Sequence, residues 1–262
     1  MARQARGTTI RKPVVPEIQA REWVIACHGY AEAEHEAIAP LRRQFADSWT
    51  GPGKGSMRHM EDQTAVALEA VRLARLMAPN LAFDDWAVLA CPLLPGRTTF
   101  RDNLKRYAED GAWAISPQVI PQCSLHSLPG QVSIILGAHG PNLGIGGWPG
   151  TEDQVWSAAW AIDLAVEPQG LWLIWTGLET DLHPGGTSST RLRALAVALS
   201  RTPNGQDLDG KWRLGIGAPN PADSPWCPWK AGSLLQDQCS PWSATVGASS
   251  LSLRFVPPGQ NT

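Results

Sequence analysis

The sequence predicts a layered α/β fold with a mixed, mostly parallel sheet. Short, strongly apolar segments alternate along the chain with longer segments whose apolar residues recur at helical spacing. Strands that alternate with helices in this way are usually joined into parallel β-α-β units. A chain of 262 residues is long enough to bury a sizeable core, and no break in composition requires two independent domains.

The first half of the chain contains two apolar runs that predict buried strands, each followed by a helix. Pro79 marks the end of the first of these helices, and Gly111 marks the end of the second. The predicted elements are, in order, a strand at 22–31, a loop at 40–58, a helix at 60–78, a strand at 85–96 and an amphipathic helix within 98–111.

The second half begins with a proline-rich stretch that leads into a helix of about ten residues ending near Gly137. Two segments, 189–201 and 211–218, are compatible with two strands or with a helix and a strand. The remaining predicted elements are a short strand near 143–146, a helix from 151, a very apolar strand at 170–179, a Pro-, Ser- and Trp-rich segment at 218–245 and a final alternating strand within 249–258.

Composition excludes several classes of function. The net charge of −2 gives no argument for binding nucleic acid or a membrane surface, and no run of 18 apolar residues predicts a membrane span. Five scattered Cys without a Cys-x-x-Cys pair favour reduced thiols and a cytoplasmic protein. Residues 1–20 are basic but lack the apolar core of a secretory signal, so we expect a flexible N-terminal tail.

Three motifs that would carry chemistry are incomplete. The GPGKGS loop departs from the phosphate-binding pattern, because Gly55 follows Lys54 where Ser or Thr is required. Cys27, His28 and His35 lie close in sequence, but the His pair is spaced more widely than zinc ligands usually are. No Gly-x-Ser-x-Gly hydrolase turn occurs. We therefore predict no metal site and no cofactor.

The segment before residue 154 has the shape of a turn that presents a nucleophile at a helix start. Two glycines and the Trp148-Pro149-Gly150 sequence allow a sharp turn, and Thr151 with Gln154 forms a capping-box pattern. Amide groups at such a helix start would favour a thiolate or an oxyanion. No Cys or Ser stands at 148–150, however, so Thr151 is expected to cap the helix rather than to react.

The stretch from 115 to 147 resembles the N-terminal half of β-ketoacyl synthases, which have the thiolase-like fold. The residues that match the family's approach to its nucleophilic Cys are Ser133, Ile134, Leu136, Gly137, Gly140, Pro141 and Asn142. Weaker matches extend the resemblance to residues 22–217. It implies a thiolase-like half domain at 21–217, followed by a Trp/Pro-rich C-terminal extension at 218–262.

Two departures from the family bear on function. Counted from Asn142, the family's Cys falls on Pro149, and the two His motifs of the family's C-terminal half do not occur in this sequence. The resemblance therefore implies a Cys-less, half-length, non-catalytic subunit of fatty acid or polyketide-type biosynthesis. Its partners would be a second copy or a complete ketosynthase, with acyl carrier protein as a further partner.

An alternative hypothesis is an acyl-thioester enzyme of different chemistry on the same fold. Under either hypothesis, four residues are candidates for an acyl pocket or an alternative site: Cys123, His126, His139 and Asn142. The turn at Trp148, Pro149, Gly150 and Thr151 is then a vestigial nucleophile turn.

The helix at 151–165 is apolar on nearly every side, and such a helix is normally buried. In the half-length chain its second face needs a cover. We expect either a second chain, which gives a dimer with this helix at its centre, or the Trp-rich segment 218–245; the dimer is the preferred expectation.

Overall fold

The computed structural model describes residues 21–257 except 49–59, 118, 180–189, 202–211, 218–221, 238–240 and 247–250. The predicted N-terminal tail and the GPGKGS loop therefore lie outside the described residues. The strands are β1 (Arg21–Glu34), β2 (Trp86–Pro92), β3 (Asn142–Gly144), β4 (Gly170–Leu178), β5 (Arg191–Arg201), β6 (Arg213–Gly217), β7 (Ser224–Pro225), β8 (Trp242–Val246) and β9 (Leu251–Val256). The helices are α1 (Ile38–Ser48), α2 (Asp62–Met77), α3 (Arg97–Asp110), α4 (Val119–Gln122), α5 (Ser127–Leu136), α6 (Gln154–Val166) and α7 (Pro228–Asp237), with short 3-10 turns at His35–Ala37 and Ala112–Ala114.

All nine strands belong to one sheet, in the order β3-β2-β4-β5-β1-β6-β9-β8-β7. The layered α/β class and the mixed sheet are confirmed. The expectation of a mostly parallel sheet needs correction, because three of the described strand pairs are parallel and five are antiparallel. A parallel pair requires a crossover of a dozen or more residues, as between β2 and β4, whereas only residues 247–250 separate β8 from β9.

Helices cover both faces of the sheet. The alternation of side chains along each strand sends Trp172 and Ile174 of β4 to one face and Leu173 and Trp175 to the other. The first face packs against α1, α2 and α5, and the second packs against α6 and α7. The resulting three layers enclose two apolar cores, one on each side of the sheet.

The C-terminal segment covers the inner face of α6. Trp226 precedes α7, and its ring lies 5.0 Å from that of Trp156 on α6 and 5.2 Å from that of Trp175 on β4. Phe255 of β9 stacks on Trp242 of β8 in the same aromatic cluster. The Trp-rich segment of our second alternative therefore covers the inner face of α6, whereas Leu164 and Val166 of the helix are 52% and 53% exposed, and cover by a second chain stays a prediction. The cluster also explains part of the high Trp content.

Most of the predicted elements are confirmed, but α1 was missed within the predicted loop at 40–58. Its apolar residues Ile38, Leu41 and Phe45 recur at helical spacing and pack on the α2 side of the sheet. Pro40 obscured this pattern, although proline is tolerated in the first turn of a helix. The two ambiguous segments are both strands, β5 and β6, and α7 was not predicted.

Within the described residues, no helix combines the length and the apolar character that crossing a membrane requires.

Gly29 on β1 allows α2 to approach the sheet closely. A Cβ atom at position 29 would lie 2.1 Å from the carbonyl oxygen of Ala70 and 2.7 Å from the amide nitrogen of Ala74. Because both contacts are with helix backbone, α2 would have to move. We expect Gly29→Ala to lower the free energy of unfolding by about 3 kcal/mol, measured by urea denaturation.

The matched control is Gly215→Ala on β6, where an added Cβ meets no atom within 4 Å. This variant is expected to change the free energy of unfolding by less than about 1 kcal/mol. Equal effects of the two substitutions would show that close helix packing is not the reason for glycine at position 29.

Candidate active-site turn

The turn between β3 and α6 is closed by its own hydrogen bonds. The Thr151 hydroxyl donates to the Trp148 carbonyl over 2.5 Å, and the Thr151 amide donates to the same carbonyl over 3.1 Å. Gly146, Gly147 and Gly150 have φ values of 74°, 101° and 88°, a region that favours glycine. Pro149 lies within this turn and is exposed, so the expectation of a turn at Pro149 is confirmed.

Thr151 does not cap the helix, which corrects the capping-box prediction. Helix α6 begins at Gln154, its N-cap residue is Asp153, and no side chain caps it by a hydrogen bond. The Thr151 hydroxyl is engaged by Trp148, and the Gln154 amide donates to the Thr151 carbonyl over 3.0 Å. The amides of Trp148, Thr151 and Gln154 are thus all used within the turn and are not free to stabilise an oxyanion.

A thiol lies directly beneath this turn. Cys91 is the second-last residue of the fully buried strand β2, and its Sγ donates to the Thr151 carbonyl over 3.7 Å. Burial raises the pKa of the Cys91 thiol to about 11. The raised pKa keeps this thiol protonated at neutral pH, so Cys91 is not an activated nucleophile.

Cys91 was missed as a residue of this region. The predicted strands at 85–96 and near 143–146 could have indicated Cys91, because the carboxyl ends of neighbouring parallel strands meet at one edge of a sheet. β2 and β3 are parallel, with Ala90 opposite Gly144. Direction and register, which place Cys91 beside the turn, follow from the paired strands and not from either segment alone.

The four candidate residues outside the turn differ in their surroundings. Cys123 is buried against Gly96 and Thr99 of the α3 start, and burial raises its pKa to about 11. His126 at the start of α5 and His139 before β3 are both exposed. The structure shows no hydrogen bond between any two of Cys123, His126, His139 and Asn142. The Oδ1 atom of Asn142 is buried and has no hydrogen-bond partner.

A buried polar network at the start of α2 was also missed. The Gln63 side chain donates to the carbonyls of Leu93 and Leu94 over 2.8 and 3.0 Å, and it accepts from the Thr176 hydroxyl over 2.6 Å. The Leu94 amide in turn donates to the Gly147 carbonyl over 3.0 Å. The network therefore ties α2, the ends of β2 and β4, and the turn together.

Glu61 begins this network as the N-cap of α2. Its carboxylate accepts from the amides of Gln63 and Thr64 over 2.7 and 3.2 Å, and the side chain is only 4% exposed. Burial raises the Glu61 pKa to about 7, against the opposing effect of these amides. In the sequence, a carboxylate immediately before an apolar helix could have indicated this N-cap, although Glu is not among the preferred N-cap residues.

A polar cleft of about 760 Å³ lies beside Glu61. His35 Nδ1 lies 3.3 Å from Asp62, which also pairs with Arg42, and His35 Nε2 lies 2.9 Å from Arg101. Burial, followed by the charge of Arg101, lowers the pKa of His35. Within the part of the chain that the structure describes, no three His, Cys, Asp or Glu side chains are grouped to hold a metal ion.

The chain matches no family model and no curated protein sequence. Among solved structures it is similar to the ishigamide ketosynthase/chain length factor, with a TM-score of 0.52 and 10% identity over 91% of this chain and 99% of that chain. The chain has the thiolase-like fold of ketosynthases. A second similar structure is AntDE:AntF, a type II PKS acyl-carrier protein in complex with its ketosynthase bound to the hexaketide. There the TM-score is 0.50 and the identity is 13%, over 70% of this chain and 64% of that chain.

We expect that Pro149→Cys does not create a condensing enzyme on this thiolase-like chain. The substitution would place an exposed thiol at the turn, but it would add neither a base nor free oxyanion donors. The measurement is mass-spectrometric detection of carbon–carbon bond formation from malonyl and acyl thioesters. Maleimide labelling of the new thiol is the control that position 149 is accessible, and condensation product above the wild-type level would contradict the prediction.

Proposed function

We propose that the chain is a non-catalytic ketosynthase-like subunit of fatty acid or polyketide-type biosynthesis. In this proposal it pairs with a second copy or with a complete ketosynthase and helps to shape an acyl-binding site. Acyl carrier protein would deliver the substrate to the assembly. Residues 21–217 would form the ketosynthase-like domain and 218–262 its extension.

The observation that carries this proposal is the closed turn with Pro149 in place of a nucleophile. Claisen condensation needs a thiolate to hold the acyl group and basic groups to handle the malonyl carboxylate and the enolate. Near the turn the available thiol is Cys91, which is buried with a pKa of about 11. The amides of Trp148, Thr151 and Gln154 are bonded within the turn.

The similar solved structures support the same assignment. One is named a ketosynthase/chain length factor, and its matched chain is covered almost completely by this one. The other is a ketosynthase in complex with an acyl-carrier protein. A subunit that has the fold but lacks the nucleophile would contribute cavity walls and contacts rather than chemistry.

The alternative enzyme with different chemistry has less support. It would use Cys123, His126 or His139 as reacting groups. Cys123 is buried with a raised pKa, and both His side chains are exposed. A nucleophile requires an adjacent base or a lowered pKa, whereas burial raises the pKa of Cys123.

Reconstitution tests the proposal. A complete ketosynthase and an acyl carrier protein from the same source are assayed with and without this chain, and product yield and chain length are measured by mass spectrometry. We expect no condensation by this chain alone and a changed yield or length when it is added to the ketosynthase.

Variants of the turn sharpen this test. Trp148 is 66% exposed at the turn, and Met77 is 53% exposed at the end of α2, away from it. We expect Trp148→Ala to alter the product distribution of the reconstituted system, whereas Met77→Ala leaves it unchanged. Carbon–carbon bond formation by the purified chain, or products that are identical with and without it, would overturn the proposed function.

A further inference from the structure

An apolar groove of about 340 Å³ lies where α1, α2 and α5 meet, and we call it the α2 groove. Its volume is at the lower end of the range of about 300–1,000 Å³ that is usual for small-molecule sites. The apolar residues that line it are Phe45, Leu68, Val71, Leu76, Pro79 and Ile135. None of its described lining residues belongs to the polar cleft beside Glu61.

The floor of the α2 groove belongs to the packed core. Leu68 and Val71 are 2% and 1% exposed and lie in the apolar cluster between α2 and the sheet. Phe45 of α1 and Ile135 of α5 are partly buried against the same cluster and line the groove from the two neighbouring helices. Leu76, by contrast, is 66% exposed. The groove is therefore preformed by packed side chains and open to solvent near the end of α2.

Two arginines of α2 are the charged residues that line the groove. Arg72 is already paired, because its Nε and Nη2 atoms donate to the Glu69 carboxylate over 2.7 and 2.6 Å. Arg75 lies about one turn further along α2. No ion pair or side-chain hydrogen bond joins Arg75 to another of the described residues. The guanidinium of Arg75 is therefore available to a ligand.

The neighbouring helices add no further unpaired charge to the groove within the described part of the chain. Helix α5 has no charged residue. On α1, Arg43 and Asp47 lie two residues before and after Phe45, which places them on the opposite face of the helix, and both line a different cleft. Arg42 is engaged by Asp62 at the start of α2. A ligand in the groove would meet an apolar surface and one positive charge.

We propose that the α2 groove binds a free fatty acid, with its hydrocarbon chain on the apolar floor and its carboxylate against Arg75. A hydrocarbon chain gains affinity from burial without any directional contact. The planar guanidinium group matches the geometry of a carboxylate and can donate two parallel hydrogen bonds to it. The two ends of an amphiphilic anion thus match the two parts of the groove.

This site is distinct from the acyl-binding site of the proposed function. Gln63, which is bonded to the Leu93 and Leu94 carbonyls, marks the end of α2 that is linked to the turn. Arg75 lies twelve residues further along α2, or about 18 Å of helix. The inference therefore does not rest on the proposed function.

Isothermal titration calorimetry of the purified full-length chain tests the site. Sodium dodecanoate is added below its critical micelle concentration, and we expect saturable binding of one dodecanoate per chain. Decanoate, which has two methylenes fewer, should bind more weakly by roughly 3- to 10-fold, and acetate should not bind. Dodecyltrimethylammonium, which has the same chain with the opposite charge, should bind more weakly than dodecanoate.

Reversal of the charge at position 75 tests the contact with the carboxylate. We expect Arg75→Glu to lower the affinity for dodecanoate on the order of 10-fold and to raise the affinity for dodecyltrimethylammonium. The matched control is Arg43→Glu, which changes the net charge by the same amount on the opposite face of α1. It should leave both affinities unchanged. Both arginines are exposed, so both variants are expected to fold, and circular dichroism checks this.

A second variant tests the apolar part of the groove. Leu76→Ala should weaken the binding of dodecanoate and of dodecyltrimethylammonium alike, by about 3-fold, because it shortens the apolar contact without changing the charge. An effect on dodecanoate alone would contradict a position of the hydrocarbon chain beside Leu76.

Three results would overturn the proposed site: no saturable binding of dodecanoate, equal effects of Arg75→Glu and Arg43→Glu, or binding that is lost in Leu104→Ala and kept in Arg75→Glu. The last result would place the chain in a second apolar groove, between α3 and residues 112–120. A groove that binds an acidic amphipathic peptide but no dodecanoate would likewise overturn the proposal. None of these results changes the outcome of the reconstitution with a ketosynthase, so the proposed function is tested separately.

Discussion

Replacing Trp226 with Ala is expected to lower the free energy of unfolding by about 3–5 kcal/mol. Trp226 is 9% exposed and contacts the rings of Trp156, Trp175, Trp242 and Phe255, at centroid distances from 5.0 to 6.0 Å. Truncation would remove this contact area and leave a cavity between α6 and the sheet. The indole nitrogen has no hydrogen-bond partner, so the expected loss is one of packing. Urea denaturation measures it.

Trp113→Ala is the matched control, because it removes the same side chain from a position that is 99% exposed. Its expected effect on the unfolding of the monomer is within about 0.5 kcal/mol. The measurement is made at concentrations below those at which the chain self-associates. A loss of less than about 1 kcal/mol in Trp226→Ala would show that the C-terminal segment does not provide the cover over α6.

Stability is expected to depend on the protonation of Glu61. Burial raises its pKa from 4.5 to about 7 in the folded chain. Because the folded pKa lies above the unfolded one, the contribution of the neutral carboxyl is full below pH 4.5 and is lost as pH rises through about 7. The contribution of Glu61 to the free energy of unfolding differs by about 3 kcal/mol between pH values below 4.5 and pH values above 7.

Unfolding free energies of the wild type and Glu61→Gln between pH 4.5 and 8 test this dependence. Glutamine retains an oxygen that can accept from the amides of Gln63 and Thr64, but it does not ionise. We expect the variant to gain stability relative to the wild type as the pH rises. Glu69→Gln on the same helix removes a carboxyl that is paired with Arg72 near the surface and serves as the comparison. Parallel curves for the wild type and Glu61→Gln would contradict the prediction.

Local patterns in the sequence were sufficient for most of the elements. Strands β2 and β4 are apolar almost throughout, and β1 contains an apolar run at 23–27. Gly111 and Gly137 end α3 and α5 as expected, the latter with a φ of 67°. These features depend on side-chain period and on backbone conformations that favour glycine, both of which can be seen within a few residues. The turn at Pro149 was predicted for the same reason.

The candidate site was predictable only in part. That the turn lacks a nucleophile can be seen from residues 148–150 alone. The closure of the turn by Thr151, the thiol of Cys91 beneath it and the network through Gln63 join residues that are far apart in the chain. Sequence spacing carries no information about such contacts, and for Thr151 it favoured a helix cap over the bond to Trp148 that the folded chain makes.

The sequence by itself determined the period of most elements, the absence of Cys and Ser at 148–150 and the resemblance to ketosynthases. Only the tertiary structure decided the direction of the strands, the cover of α6 by Trp226 and the raised pKa values of Glu61 and Cys91. The physical reason is that each of these features depends on contacts between distant segments. Strand direction depends on which strands become neighbours, and the pKa values depend on desolvation by the packed chain. Any apolar surface within reach can bury an apolar helix face.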